Sequence, residues 1–398
     1  MRIMKKLIKE LAKEIHNDTI GIRRHIHANP ELSYQEVKTG KYIANQLDVL
    51  GIDYEHGVAE NGVVGLIKGK NPDKKVIALR ADIDALPIVE ANDVPYKSKN
   101  QGVMHACGHD VHSASLLGTA RILNQIKSDF EGTVKLIFQP AEERLPGGAS
   151  IMIKEGVLQN PAPTSIFGQH VHPPLEAGKI GLKGGMYMAS ADEIYITVKG
   201  KGGHGALPQD CVDPITIAAQ MISALQQVIS RQMNPTVPAL LTFGSIIAEG
   251  STNIIPNEVK IKGTFRCMNE KWRMVAHDKM YKMGVGIVEA MGGKCDFNIM
   301  KGYPCLYNNE PLTAKVKDFA IDYLGEQNVV DLPIRMTAED FSYYSQQIPA
   351  TFYRLGTGNK AKGITSPVHT TTFDIDESAL ELSTGLMAWL AVQELRNF

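Results

Sequence analysis

The chain has 398 residues, which is more than one ordinary domain needs, and 43% of them are apolar, as is usual for a globular protein. Its 42 basic and 43 acidic residues leave a formal net charge of −1, which argues against nucleic acid or an anionic membrane as a partner. Five scattered cysteines do not suggest a disulfide framework, and a reducing cytoplasm is the simplest setting for them.

The first predicted element is an amphipathic helix at the N-terminus. Met4, Leu7, Ile8, Leu11 and Ile15 recur at helical spacing, and lysines interrupt the apolar run. We expect this helix to pack on its own domain, since the run is too often charged for a signal peptide or a membrane anchor. No stretch of the chain reaches the length of a transmembrane helix.

An α/β pattern follows the N-terminal helix. Apolar or β-rich runs predict strands at residues 63–67, 76–81, 134–138 and 165–168, and a helix at about 112–126. Continuous apolar strands that alternate with helices indicate a mixed, mostly parallel sheet with helices on both faces. Ligand sites in such sheets lie beyond the carboxyl ends of the strands, so polar residues that follow these strands are candidates for a site.

Two polar clusters contain residue types that bind metals or transfer protons. Cys107 and His109 precede the helix at 112–126, and cysteine, histidine and carboxylate together favour a metal. Glu142 and Glu143 follow the strand at 134–138, which Pro140 ends because proline cannot donate to a sheet. On a loop, one carboxylate can bind a metal while its neighbour acts as general base. Each cluster alone is also compatible with a structural or solvated loop.

Two further clusters contain histidines. His170 follows the strand at 165–168, and His369 lies in the loop at 366–370. Each histidine alone is more often a satisfied polar residue than a ligand. Four such clusters, all at strand ends or in loops of one α/β domain, indicate a shared site.

A different pattern begins near residue 191. Strands are predicted at 193–199, 240–247, 259–268 and 295–303, and helices at 213–231 and 270–291. Asp213 and Pro214 supply an N-cap and a first-turn proline for the first of these helices. The order β-α-β-β-α-β is that of a ferredoxin-like unit. We therefore predict that residues 189–303 form a separate domain inserted into the first.

After residue 311 the α/β pattern returns. A helix is predicted at 312–324, a strand at 351–355 and a closing helix at 377–398. The first domain is therefore predicted to be discontinuous and to contain residues 1–188 and 304–398.

Strings from almost the whole chain, in order, resemble the aminoacylase/carboxypeptidase family of metal-dependent amidohydrolases. They are RRHIHANPELSYQE, LRADIDALPI, MHACGHD, FQPAEE, GQHVHP, GKGGHGALPQD and MTAEDFS. That family includes hippurate hydrolases, auxin-conjugate hydrolases and N-acetyldiaminopimelate deacetylases. The resemblance implies hydrolysis of the amide bond in N-acyl amino acids or small dipeptide-like substrates.

The resemblance also implies roles for individual residues of the first, catalytic domain. It implies two divalent metal ions per subunit, which the chemistry allows to be Zn, Mn, Co or Ni, with the Cys107 thiolate as a bridge between them. Glu142 matches the general base, which takes a proton from a metal-activated water and later gives it to the leaving amine. The matching metal ligands are Cys107, His109, Glu143, His170 and His369.

In the inserted domain, the resemblance implies a lid that also forms a homodimer. His204 matches a histidine that reaches the active site of the other subunit, where it would help to stabilise the oxyanion. Asn253 and Arg266 match positions that contact substrate, and Arg266 is suited to pair with the free carboxylate of an acylated amino acid.

Several polar residues near the predicted ligands are expected to support them. Asp82 and Asp84 are expected to orient histidine ligands. The remaining histidines of these motifs are expected to be structural or supporting: His25, His105, His112 and His172.

Two alternatives remain at this stage. Cys107 could act as a nucleophile that a nearby histidine activates, although this would leave Glu142 and Glu143 without a role. The chain could also be a non-catalytic metal-binding module on a hydrolase scaffold, which the intact base and ligand set argues against.

Overall fold

Helices and strands alternate through most of the chain in the computed structural model, which describes residues 2–396. The helices are α1 (Arg2–Glu14), α2 (His16–Ala28), α3 (Val37–Val49), α4 (His109–Gln125), α5 (Gly148–Lys154), α6 (Pro214–Gln227), α7 (Glu270–Ala290), α8 (Glu310–Leu324), α9 (Ser342–Ser345) and α10 (Ala379–Arg396). The strands are β1 (Asp53–Val58), β2 (Gly62–Lys68), β3 (Val76–Asp82), β4 (Thr133–Gln139), β5 (Ser165–Glu176), β6 (Ile180–Leu182), β7 (Gly185–Met188), β8 (Asp192–Lys199), β9 (Gly203–His204), β10 (Ala239–Ile247), β11 (Ile254–Ile255), β12 (Glu258–Cys267), β13 (Lys294–Lys301), β14 (Leu306–Asn308), β15 (Val329–Asp331) and β16 (Ala350–Gly358).

The chain divides into two compact units. The first runs from the N-terminus to Gly185 and also takes in Tyr307–Pro333 and the chain from Asp340 onward. The second contains Met186–Leu306 and Ile334–Glu339. The assignment of residues 189–303 as a lid and dimerisation domain, and of 1–188 with 304–398 as the catalytic domain, stays a prediction.

An eight-stranded sheet forms the centre of the first unit, in the order β1-β2-β4-β3-β5-β16-β6-β15. The four middle strands, β4, β3, β5 and β16, are parallel, while β1 and β2 are antiparallel to their neighbours. Both β3 and β4 are buried at every position, so helices and loops cover both faces. The predicted mixed, mostly parallel α/β sheet is confirmed.

The helix α4 lies in the middle of this unit. It is buried at every position of its first three turns and packs against β3, β5 and α10. A helix that is buried all round belongs to the core, which fixes the position of its N-terminus. It begins at His109, three residues before the predicted start, because Gly108 adopts φ 82° and ends the preceding loop.

The strand β5 is longer than predicted. The expected end at residue 168 is wrong, since the strand continues to Glu176. Its parallel neighbour β16 pairs with it from Ala350 opposite Ile166 to Gly356 opposite His172, and again at Gly358 opposite Glu176 after a shift of register. This pairing supplies hydrogen-bond partners beyond the apolar run and places His170 inside a strand, not after one.

The ends of the chain follow the predicted elements. The amphipathic N-terminal helix is observed as α1, with Ile8 and Ala12 buried, and a further helix that the sequence did not indicate, α2, follows it. The closing helix is observed as α10, and positions 397 and 398 of the prediction lie outside the described residues. Within residues 2–396, no helix is both long and apolar enough to cross a bilayer.

The second unit has its own sheet, in the order β10-β12-β8-β13, with all neighbours antiparallel. Strand β8 alternates buried and less buried positions, and α6 and α7 pack on the sheet. Asp213 caps α6 by accepting from the backbone N–H groups of Ile215 and Thr216. The β-α-β-β-α-β order and this strand arrangement confirm the ferredoxin-like unit.

Candidate metal centre

The structure brings the five predicted metal ligands together from four segments of the first unit. They lie at the start of α4, in the loop after β4, within β5 and in the loop before α10; these residues are Cys107, His109, Glu143, His170 and His369. Because β3, β4 and β5 are parallel, their carboxyl ends meet at one edge of the sheet. The site therefore occupies the edge at which such sheets bind ligands.

The thiol of Cys107 lies between two imidazoles. Its Sγ is 3.3 Å from Nε2 of His170 and 3.3 Å from Nε2 of His369. Sulfur and nitrogen ligands on a shared tetrahedral ion are about 3.5 Å apart, given metal–ligand distances of 2.0–2.3 Å. Cys107 belongs to two donor groups, one with His109 and His170 and one with Glu143 and His369, each with donor atoms within 4.8 Å of one another.

Hydrogen bonds to the other ring nitrogen free Nε2 of two histidines for a metal. The Nδ1–H of His109 donates to the carbonyl oxygen of Asp84 at 2.9 Å, and that of His170 donates to the carbonyl oxygen of Val171 at 2.8 Å. A carbonyl oxygen only accepts, so in each neutral ring the proton is on Nδ1 and Nε2 has a free lone pair. Burial lowers the pKa of His170 well below its usual range, which keeps that ring neutral.

Carboxylates shift the pKa values of two of the predicted ligands. Burial, followed by the Glu143, Glu142 and Asp82 carboxylates, raises the pKa of the Cys107 thiol well above its usual range. Burial opposes protonation of His109, but Asp82, Asp84 and Glu143 outweigh it and raise the pKa of that imidazole to about 10. These carboxylates would stabilise a divalent cation bound at the centre.

Two buried atoms that could bind a metal also indicate that the centre suits a divalent cation. Among the residues that the structure describes, Nε2 of His109 and Oε1 of Glu143 form no hydrogen bond, although Oε1 of Glu143 lies 3.1 Å from Nε2 of His369. Buried polar atoms are nearly always satisfied, so unpaired atoms of this kind indicate a missing ion or water. The donor set therefore fits divalent metal ions.

Glu142 and Glu143 serve one site although they are adjacent in sequence. Oε2 of Glu142 and Oε1 of Glu143 each lie 4.0 Å from Nε2 of His109. Glu142 is buried, and its Oε1 accepts from the backbone N–H of Asp340 at 3.4 Å. On a regular strand the two side chains would point to opposite faces, but Ala141 adopts φ 53° and turns the chain just before them.

The glycine before α4 is required by its conformation and by its surroundings. Gly108 has φ 82°, and a Cβ at this position would lie 2.6 Å from a side-chain carbon of Val171. Only glycine adopts this backbone without strain and allows the strand with His170 to approach so closely. Gly108 thus allows the close packing of the loop that contains the two predicted ligands on either side of it, Cys107 and His109.

Asp82 and Asp84 contact histidines, as the sequence led us to expect. Asp84 Oδ1 accepts from His109 Nδ1 at 3.0 Å, and Asp82 Oδ1 accepts from His112 Nδ1 at 2.5 Å. The Nε2 of His112 accepts from the backbone N–H of Val171, so its lone pair is already used. His112 therefore supports β5 and Asp82, and is not available as a ligand in this arrangement.

Sequence reasoning gave no role to several buried residues next to the centre. Arg80 pairs with Asp82 at 2.7 Å and with Asp340 at 2.7 Å, and Gln139 donates to Asp340 at 2.7 Å. Glu36 accepts from the backbone N–H of Ala141 at 2.8 Å. All of these residues lie inside the strings LRADIDALPI, FQPAEE, RRHIHANPELSYQE and MTAEDFS, but the strings alone do not indicate which residues they contact.

The remaining predicted site residues lie in the second unit. His204 and Asn253 are exposed and adjacent, since β9 pairs with β11 and Gly205 N–H donates to the Asn253 carbonyl oxygen at 2.8 Å. Arg266 lies in β12, half-buried, and its Nε donates to Thr264 Oγ1 at 3.1 Å. The roles of these three residues stay predictions.

Both the sequence and the fold of this chain are similar to those of known proteins. The sequence profile of Peptidase family M20/M25/M40 matches residues 78–392. Thermostable carboxypeptidase 2 of Saccharolobus solfataricus is 41% identical over 99% of this chain and 99% of its own length. N-acetylcysteine deacetylase of Bacillus subtilis is 39% identical over 96% of this chain and 97% of its own. The YXEP protein of Bacillus subtilis, described as a dinuclear metal binding peptidase, has a TM-score of 0.81 at 36% identity, over 97% and 100% of the two chains.

Proposed function

Since the chain belongs to Peptidase family M20/M25/M40, we propose that it is a metal-dependent hydrolase that cleaves the amide bond of N-acyl amino acids or small dipeptide-like substrates. The family resemblance noted in the sequence is thereby confirmed. The names of two relatives, a carboxypeptidase and an N-acetylcysteine deacetylase, describe cleavage of an amide bond next to an amino acid. That shared chemistry supports a small-molecule substrate of this class.

A single observation carries the proposal: the Cys107 thiol belongs to two donor groups at once. One group would hold one divalent ion with His109 and His170, and the other a second ion with Glu143 and His369. A thiolate that is shared in this way is suited to bridge two ions. The thiolate and imidazole donors favour Zn, Co or Ni, and the carboxylates also allow Mn.

The bound ions would supply a polarised water of lowered pKa and positive charge for the developing oxyanion. Glu142 would hold and move the proton, because its carboxylate reaches the centre without being needed to complete either donor group. The N–H of Asp340 holds Glu142 Oε1 in place, which leaves Oε2 toward the centre. A base fixed in this way would take the proton of the water and return it to the leaving amine.

Residues of the second unit would complete substrate recognition. Arg266 would bind the substrate carboxylate: of its guanidinium nitrogens only Nε has a hydrogen-bond partner within residues 2–396. The Ala206 N–H donates to Nδ1 of His204 at 3.1 Å, so the neutral ring would carry its proton on Nε2 and could donate it to an oxyanion. Asn253, adjacent to His204, would contact substrate with it.

We further propose a homodimer in the cytoplasm. The edge strand β10 exposes Ile246 and Ile247, with 55% and 49% of their surface accessible, and an exposed apolar edge favours pairing with a second copy. All five cysteines are free thiols, which suits a reducing compartment. No feature of composition favours nucleic acid or membrane as a partner.

The decisive experiment combines chelation with thiol labelling. Exhaustive chelation should abolish hydrolysis of N-acetyl, N-benzoyl or dipeptide substrates, and divalent metal should restore it. Alkylation of Cys107, located by peptide mass spectrometry, should occur only after the metal is removed, because a coordinated thiolate is occupied. Full activity in the metal-free protein, with alkylation at Cys107 blocking it, would show instead that Cys107 is a nucleophile.

A further inference from the structure

The segment between α2 and α3 lies against the loop that carries the two adjacent glutamates. We refer to residues 33–36 as the brace and to residues 141–147 as the carboxylate loop. Each of three brace side chains holds the loop or the aspartate that contacts it. None of the three belongs to the metal centre, so their shared arrangement requires a separate explanation.

Glu36 makes the deepest of these contacts. Its side chain is completely buried, and Oε1 accepts from the backbone N–H of Ala141 at 2.8 Å. Its other oxygen, Oε2, accepts from Nδ2 of Asn61 at 3.2 Å. Ala141 has few alternatives for this N–H, because the residue is itself fully buried.

Tyr34 and Ser33 hold the rest of the loop. The Tyr34 hydroxyl donates to the Arg144 carbonyl oxygen at 3.1 Å and accepts from the Gly147 N–H at 3.3 Å. The Ser33 hydroxyl donates to Asp84 Oδ2 at 2.7 Å, and this same oxygen accepts from the Glu143 N–H at 2.9 Å. The brace therefore contacts the loop at its start and its end, and indirectly at Glu143.

The conformation of Ala141 gives the contact with Glu36 its importance. Ala141 adopts φ 53°, in the left-handed region that residues other than glycine rarely occupy. This turn is what lets both Glu142 and Glu143 lie 4.0 Å from the same atom, Nε2 of His109. A strained residue keeps its conformation only when its surroundings hold it there, and Glu36 accepts the N–H of that residue.

We propose that Glu36 is a positioning residue of the hydrolase: by accepting the Ala141 N–H it fixes the left-handed turn that places Glu142 in the centre. This inference rests on the proposed function for its effect on turnover. Glu36 acts through Ala141 and Glu142 and does not touch the reacting atoms. Its contribution depends on a side chain long enough for an oxygen to accept the Ala141 N–H, and not on the charge of the carboxylate.

The same segment offers a matched control. Glu31 accepts from the Thr39 N–H at 2.8 Å and from the Thr39 hydroxyl at 2.9 Å, so it is also a glutamate that holds a backbone N–H. Among the described residues, its side chain forms these hydrogen bonds with Thr39 and none with the carboxylate loop. If Glu36 served only the stability of the fold, changes at the two glutamates would have similar consequences.

Two substitutions distinguish the effect of the length of the Glu36 side chain from the effect of its charge. Glu36→Asp keeps the carboxylate but is one methylene too short to reach Ala141, whereas Glu36→Gln keeps both the length and an acceptor oxygen. The amide is expected to be tolerated, since burial and the nearby Asp84 raise the pKa of Glu36 to about 7. In the metal-loaded enzyme, kcat of Glu36→Asp should fall about tenfold or more, as misplaced catalytic groups do.

The expected pattern has several parts. In Glu36→Asp the KM and the metal content should match the wild type, while Glu36→Gln, Glu31→Asp and Glu31→Gln should keep near wild-type kcat. A wild-type kcat in Glu36→Asp would overturn the inference, and so would a loss in Glu36→Gln as large as that in Glu36→Asp. If Glu36→Asp does not fold, Glu36→Gln decides alone: activity supports the inference and inactivity overturns it.

Amide hydrogen exchange tests the geometry without any substrate. The peptide that contains Ala141 should exchange faster in Glu36→Asp than in the wild type, while Glu31→Asp should leave it unchanged. Unchanged exchange in Glu36→Asp would contradict the role of Glu36 even if activity fell. If the wild type is inactive but exchange is faster in Glu36→Asp, the proposed reaction is wrong, while the contact of Glu36 with Ala141 is still supported.

Discussion

Asp84 holds His109 through both its backbone and its side chain: the carbonyl oxygen and Oδ1 lie 2.9 Å and 3.0 Å from the same ring nitrogen, Nδ1. The other carboxylate oxygen, Oδ2, accepts from the N–H of Glu143 and from the hydroxyl of Ser33. One buried carboxylate therefore orients two of the proposed ligands. Groups that orient ligands in this way fix the position of the ligand atoms and so contribute to metal affinity.

Replacing Asp84 with asparagine should weaken metal binding. Three donors contact the two carboxylate oxygens, and an amide has only one acceptor oxygen. Either the Glu143 N–H loses its acceptor, or His109 keeps only the Asp84 carbonyl oxygen. The metal affinity should fall about 10–100-fold, the usual effect of removing such a contact, as measured by competition with a chelator. Asp53→Asn, at an exposed position of β1, is the control and should leave the affinity unchanged. An Asp84→Asn protein with wild-type affinity would contradict this role.

The two adjacent glutamates should respond differently to the same substitution. Glu142→Gln keeps size and hydrogen bonding but cannot take a proton, so kcat should fall about 10²–10⁴-fold while the metal content stays. Glu143→Gln should lose metal as well as activity. Metal analysis alongside kcat measures both effects. Loss of metal from Glu142→Gln and not from Glu143→Gln would mean that the two roles are exchanged.

The sequence indicated which residue types form the candidate centre, but not how they are arranged in space. Strands β3 and β4 and the residue types of the ligands are local features, which apolar runs and short strings indicate directly. The 3.3 Å contact between Cys107 and His369 joins residues that are 262 positions apart. No local pattern specifies such a distance, because it depends on how β5, α4 and the loop before α10 pack.

The sequence pattern also did not predict the left-handed backbone conformation of two residues near the centre. Ala141 and His369 adopt φ 53° and φ 63°, although neither is the glycine or asparagine that usually indicates a left-handed residue. Tertiary hydrogen bonds hold both, from Ala141 to Glu36 and from the His369 N–H to the Ala106 carbonyl oxygen. The length of β5 was missed for a similar reason, since its second half is stabilised by pairing with β16 and not by an apolar run.

Recognition of the substrate carboxylate can be tested with a neutral analogue. If Arg266 binds the free carboxylate, an N-acyl amino acid should be cleaved with a higher kcat/KM than its methyl amide, by about the 10-fold or more expected of a charge-assisted bidentate pair. Arg266→Lys should reduce this preference, because a single ammonium cannot form that pair. Equal kcat/KM for the acid and the methyl amide in the wild type would rule out recognition of the carboxylate.

Asp376 should make stability depend on acid pH. Burial opposes its ionisation, but hydrogen bonds from Asn359, Ser378 and Lys362 outweigh burial and lower its pKa to about 2 from the ordinary 3.8. A carboxyl whose pKa is lower in the folded state stabilises the fold above pH 3.8, and this stability is lost as the pH falls toward 2. Asp376→Asn should therefore have a lower melting temperature than the wild type at pH 7, with the gap closing below pH 4. A gap that stays constant between pH 7 and pH 3 would contradict this account.

The proposed dimer makes a prediction about mixed subunits. If His204 of one subunit completes the active site of the other, a site needs Glu142 from one chain and His204 from its partner. Glu142→Ala and His204→Ala should each be nearly inactive alone. Unfolded, mixed in equal amounts and refolded, they should form mixed dimers in about half of the assemblies, and one of the two sites in each mixed dimer would have both groups intact. About a quarter of all sites should then regain wild-type activity, since random pairing in a two-fold dimer predicts that share.

The wild type taken through the same refolding sets the reference for recovered activity. If His204 acts within its own chain, no pairing restores an intact site, and the mixture would be no more active than its parents.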